Sequence, residues 1–134
     1  MAAFSDYMEL AILNWMRGSS FPAAPATVYV GLFNGDPTDA GTGGAEVTTT
    51  IRPAGRVGVT FTSPTDSGGA KQMSNSAPVD FGTAAAGATV THFALFDAVS
   101  GGNMLPHGAL TVSKDVSVSD PVAFDTGNLV IAVT

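Results

Sequence analysis

From Thr27 onward the chain is cut into short apolar segments by glycine-rich turns, and that punctuation constrains its fold more than any other feature. The turn clusters are Asn34-Gly35-Asp36-Pro37, Ser67-Gly68-Gly69, Ser100-Gly101-Gly102 and Asp125-Thr126-Gly127. Glycine and asparagine supply the backbone angles that tight turns need, and proline fixes the approach. Between the turns stand segments of alternating or continuous apolar character. Residues 27–33 (TVYVGLF) place Val28, Val30 and Leu32 on one face and Tyr29 and Phe33 on the other, as a central strand would. Residues 58–63 alternate Val59 and Phe61 against Thr60 and Thr62, and a strand is expected from near Met73 to Phe81. Residues 89–96 set Val90, His92, Ala94 and Phe96 against Thr91, Phe93 and Leu95; residues 103–112, 116–118, 122–124 and 129–133 complete the set.

About seven to nine short strands with such turns predict a mainly β chain, an antiparallel sandwich or small barrel of jelly-roll-like type. Nothing after residue 18 reads as a crossover helix, which excludes a parallel α/β fold. The one helix is expected over residues 6–17. Asp6 and Glu9 have capping-box spacing, Arg17 falls in the last turn, and Gly18 follows as a left-handed stop. Met8, Ile12, Trp15 and Met16 recur at helical spacing, with Ala11 and Leu13 widening the stripe. A helix this short is marginal alone and must dock, on its own β-domain or on a neighbouring subunit. The expected organisation is a helical arm at 1–18, a proline-stiffened linker at 19–26 that includes Phe21, and a β-domain at 27–134. Met8, Ile12, Trp15, Met16 and Phe21 are the candidate assembly contacts.

Composition narrows the partners. The chain has 134 residues, enough for one core, and no cysteine, which excludes disulfides, thiolate metal sites and cysteine nucleophiles. Only 12% of residues are charged, and the net charge is −6 with five Lys and Arg in total. Arg17, Arg52, Arg56, Lys71 and Lys114 are scattered rather than clustered, which argues against a nucleic acid or an anionic membrane as partner. Low charge with 45% apolar residues suits a protein that buries outer surface in an assembly. No stretch approaches the roughly 18 apolar residues of a membrane span, and the N-terminus lacks the basic start of a secretory signal, so a cytoplasmic product is expected until it is assembled.

Candidates for chemistry are few. His92 and His107 each sit inside an expected strand without a Gly-x-Ser-x-Gly elbow, and two histidines alone make no zinc site. Asp36, Asp39 and Glu46 lack the alternating spacing of a calcium loop, and Asp36-Pro37-Thr38-Asp39 reads as turn chemistry. Ser67-Gly68-Gly69-Ala70-Lys71 has the wrong spacing for a phosphate loop and reads as a hairpin. The expectation is therefore a non-enzyme with no catalytic residue, metal or cofactor.

Several blocks carry a wider likeness. They are Phe4-Ser5-Asp6-Tyr7 leading into Glu9-Leu10-Ala11-Ile12-Leu13, then Pro25-Ala26-Thr27-Val28-Tyr29-Val30-Gly31-Leu32-Phe33, Asp36-Pro37-Thr38, Gly44-Ala45-Glu46-Val47 and Val59-Thr60-Phe61. Ser74-Asn75-Ser76-Ala77 precedes Val79-Asp80-Phe81. The closing blocks run from Val90 to Ala98, from Gly101 to Leu105 and from His107 to Leu110. In this order the chain resembles a family of small tailed-phage virion proteins, usually described as structural or tail-fibre-like. One departure is Gly55-Arg56, where the family pattern has an aromatic before the arginine. The resemblance implies a virion role and brings no catalytic residue with it.

Three roles follow as expectations. The first is a capsid cement or decoration subunit, favoured as a homotrimer, stabilising the shell against the major capsid protein. The second is a tail, fibre or baseplate component that contacts tail proteins or the host. The third is a carbohydrate-binding sandwich, weakened because Trp15, the sole tryptophan, lies on the helix.

Overall fold

The β-branched and aromatic run after the proline linker forms the centre of the fold. In the computed structural model, which describes residues 2–47 and 55–133, this run is strand β2 (Val28–Asn34), following β1 (Ala3–Phe4) and helix α1 (Asp6–Met16). Beyond it come β3 (Ala45–Glu46), β4 (Val57–Val59), β5 (Thr65–Ser67), β6 (Ala70–Ser74), β7 (Val79–Thr83), β8 (Ala88–Phe96), β9 (Met104–Val116), β10 (Pro121–Phe124) and β11 (Val130–Val133). Arg52 lies outside the described residues.

The protein is mainly β, with antiparallel sheets and one helix. A six-stranded sheet has the order β1-β9-β8-β2-β3, and β4 shares the β3 edge of β2. A two-stranded sheet, β10-β7, and a three-stranded sheet, β11-β6-β5, make up the rest. The arrangement is sandwich-like, with no closed barrel among the described residues. The core lies between the sheets: Val30 and Leu32 from β2 and Val90, Phe93 and Leu95 from β8 meet Val79 and Phe81 from β7 and Ile131 from β11. A smaller cluster of Phe33, Ala94, Phe96 and Met104 covers the opposite face of the large sheet. Strand β2 thus buries both faces, as its sequence predicts.

Several expected boundaries move. The alternation in β8 breaks: the register with β9 shifts between Val90 and His92 and again between Ala94 and Phe96. Val90 consequently joins Phe93 and Leu95 in the main core, while Ala94 and Phe96 turn to the other face. The segment expected at 103–112 runs on to Val116 as strand β9, and the separate strand expected at 116–118 does not form, Ser117 and Val118 lying in the turn that follows. Among the described residues, the outer edge of β9 pairs only with β1, through Ala3 to His107 and Phe4 to Pro106. The strand expected from Met73 to Phe81 is instead two, β6 and β7, in different sheets. Gly68 and Gly69, at φ 56° and 89°, close the β5–β6 hairpin, the conformation a two-residue turn requires.

Asn75 makes the corner between β6 and β7. Its side chain is buried, donates from Nδ2 to Ala77 O (2.9 Å) and Asp125 O (3.0 Å), and accepts at Oδ1 from Leu129 N (2.9 Å). Its backbone adds bonds to Leu129 and Gly127. One amide therefore ties the corner to the segment joining β10 and β11. Asn75→Ala is expected to leave buried backbone groups unpaired and to destabilise the fold by about 2–4 kcal/mol, read from the midpoint of urea unfolding; a loss within the scatter of surface variants would contradict this role.

Candidate assembly surface

The N-terminal arm is fixed at its base. Ser5 is the helix N-cap: its N–H donates to Leu105 O (3.1 Å), its Oγ donates to Met104 O, and the same Oγ accepts from Met8 N (3.3 Å). The cap thus lies one residue before the expected Asp6, because Ser5 is where the chain leaves the edge of β9. Asp6 N–H donates to Asp39 O (2.9 Å), and His107 Nε2 donates to Asp39 Oδ1 (2.8 Å). Asp36 Oδ1 lies 3.6 Å from the Nδ1 of the same buried ring. Gly18, at φ 101°, ends the helix as expected, with Ser19 N–H donating to Asn14 O.

The far end of the arm is free of the domain. Ala11 is buried, while Tyr7, Met8, Ile12 and Asn14 are half-buried. Leu10, Leu13, Trp15 and Met16 are 60–70% exposed, and Phe21 in the linker is 45% exposed. At about 100° per residue, Trp15 projects on the side of Ala11, about 160° from Leu13. Its exposure there shows that the last helical turn overhangs the β-domain. Of the five expected contacts, Met8 and Ile12 face inward and Trp15, Met16 and Phe21 are displayed. Leu10 was missed, although Leu10, Leu13 and Met16 make a second apolar face at three-residue spacing. Asp6 and Glu9 share that face in the first turn, so the helix is apolar around its surface mainly in its later turns.

Beside the helix runs an apolar groove of about 410 Å³. Tyr7 and Met8 of the helix, Phe21 of the linker, Val28, Leu105 and Ile131 are among its walls. A second cleft, of about 650 Å³, opens between the end of β9 and β10 over Leu110, Val116, Val122 and Phe124.

The residues considered for chemistry have structural partners. His92 Nδ1 is 2.8 Å from Thr91 Oγ1, while His107 serves the arm, so the two imidazoles have different partners although their strands pair. Asp36 Oδ1 accepts from Thr38 N (2.9 Å), the turn chemistry expected of that loop. Lys71 pairs with Asp66 across the β5–β6 hairpin. No group of three or more histidine and carboxylate side chains among the described residues is arranged to hold a metal.

Glu46 is held by Arg56, whose guanidinium has several partners. The Arg56 guanidinium donates from Nε to Glu46 Oε1 (2.8 Å), from Nη2 to Glu46 Oε2 (3.1 Å), and from Nη1 to Ala98 O and Gly101 O (2.9 Å each). It stacks 3.3 Å from the centre of the Phe96 ring. Where the resemblance leads one to expect an aromatic before the arginine, Gly55 stands at φ 95°, beside Val99, and the ring that stacks on Arg56 is Phe96. Gly31 of β2 lies beneath: a Cβ there would come within 3.0 Å of Glu46 Oε1 and 3.1 Å of Phe96. A central-strand glycine is thereby explained by what crosses over it.

The scaffold's polar groups hold turns in place, and an apolar arm is displayed beside it. The family comparison makes the class specific, to structural proteins of phage virions. The chain belongs to the family described as Podophage GP4 fiber I protein gp80, whose model matches residues 3–132. No curated protein matches it.

Arg56→Lys is expected to keep the charge yet lose the fork and the stacked plane, and Arg56→Ala to leave Glu46 without its partner as well. Expected losses are about 1–3 kcal/mol for lysine and about 3–5 kcal/mol for alanine, by chemical denaturation. Equal effects of the two variants would show that the fork geometry contributes nothing.

Proposed function

We propose that this protein is a component of the tail fibre of a podophage-type virion and that it acts by protein–protein contact, without catalysis. The family match along nearly the whole chain carries this reading. The word fibre in the family description favours the tail or fibre role over the capsid cement role that the composition also suits. The engagement of His92 with Thr91, His107 with the arm base, Asp36 with its turn and Glu46 with Arg56 supports a structural use of the residues most suited to chemistry. In this reading the subunit folds in the host cytoplasm and joins the particle through its arm, with other copies of itself and with tail proteins as partners. A homotrimer remains the order of self-association proposed.

The location is tested on the particle. Gold-labelled antibody against the purified protein, viewed by electron microscopy on intact virions, should decorate the tail fibres. Label distributed over the capsid surface would overturn the fibre reading and restore the cement one. Retention of virions on immobilised host glycans through the isolated subunit would instead favour a receptor-binding role.

A further inference from the structure

The overhanging helix tip and the groove beside the helix are complementary. We propose that the tip of one copy, Leu13, Trp15 and Met16, seats in the apolar groove of a second copy. This deepens the proposed self-association but rests on the chain's own surface, whichever part of the virion it occupies.

Three observations carry it. First, Leu13 and Trp15 point to nearly opposite sides of the helix and are both about 60% exposed. A flat partner would cover one and leave the other wet, whereas a groove covers both. Second, the groove is walled by apolar side chains and lies on the same side of the molecule as the helix that borders it, so each copy can give a tip and receive one. Third, the area is of the right order. Leu13, Trp15 and Met16, all at least 60% exposed, present on the order of 400 Å² together. Giving one tip and covering the smaller lining of one groove then buries on the order of 600 Å² per copy, the lower end of the roughly 1,200–2,000 Å² in total that a stable interface needs. The exchange closes as a reciprocal pair or a ring.

The absence of cysteine makes a direct test possible. Leu13→Cys and Ala24→Cys place single thiols on the exposed tip and on the groove wall. When tagged L13C is mixed with untagged A24C and oxidised, the expected product is the mixed disulfide between copies. A product dominated by L13C joined to itself would overturn groove seating in favour of helix bundling. In parallel, sedimentation of the native protein across the micromolar range should show an oligomer. The double variant Leu13→Glu with Trp15→Glu should sediment as a monomer with unchanged circular dichroism and melting temperature. A native chain that stays monomeric, or an oligomer that survives both substitutions, would overturn the proposal. Antibody labelling of the virion is independent of all these outcomes, so failure here and failure of the fibre assignment are separable.

Discussion

The bond between Arg56 and Glu46 is the constraint on which the rest of the large sheet depends. A buried guanidinium is costly unless its charge is paired and its donors are placed. Here one carboxylate, two backbone carbonyls and one aromatic face meet those needs. The partners come from β3, the β8–β9 turn and β8, while Arg56 itself stands just before β4. Strand pairing alone would leave these segments loosely related, because β3 and β4 are only two and three residues long. The arginine joins β3 to the start of β4 and holds the turn after β8 against them. The turn is further closed by Asp97, which accepts from Asn103 N (2.7 Å) and Nδ2 (2.8 Å). Gly102 is required there, since a Cβ would fall 2.4 Å from the Asp97 carboxylate.

What the sequence made legible were features set by local pattern. The two apolar faces of β2, the Gly68-Gly69 hairpin, the helix stop at Gly18 and the Asp36 turn all depend on residues close in the chain. What it hid depended on distant partners. Nothing in Ala3-Phe4 marks a strand, since it becomes one only by meeting Pro106 and His107. The break in β8 comes from extra residues on β9, and the split at Asn75 from carbonyl and amide groups some fifty positions away. The helix shows the same division. Its extent followed from spacing and the glycine stop, whereas the exposure of Trp15 depends on where the β-domain ends beneath it.

The arm links these two levels. Its base is specified by polar contacts among Ser5, Asp39 and His107, and its tip by apolar side chains without such contacts. Polar anchoring and apolar display are thereby separated along one helix of eleven residues. The base aims the tip while leaving its surface free to meet another protein. The histidine and the acidic loop that first invite a catalytic reading find their use in this aiming.

The lone two-residue partner on the outer edge of β9 has a consequence for the life of the free subunit. Beyond His107 the described part of that edge has no strand beside it, so its outward backbone groups form a template on which any extended chain can pair. Val112 on this stretch is 63% exposed, and Lys114 and Asp115 are its nearby charges. In a chain this poor in charge, those two residues act as gatekeepers against aggregation. Crowding before incorporation into the particle is therefore a hazard for this protein, and prompt assembly is a form of protection.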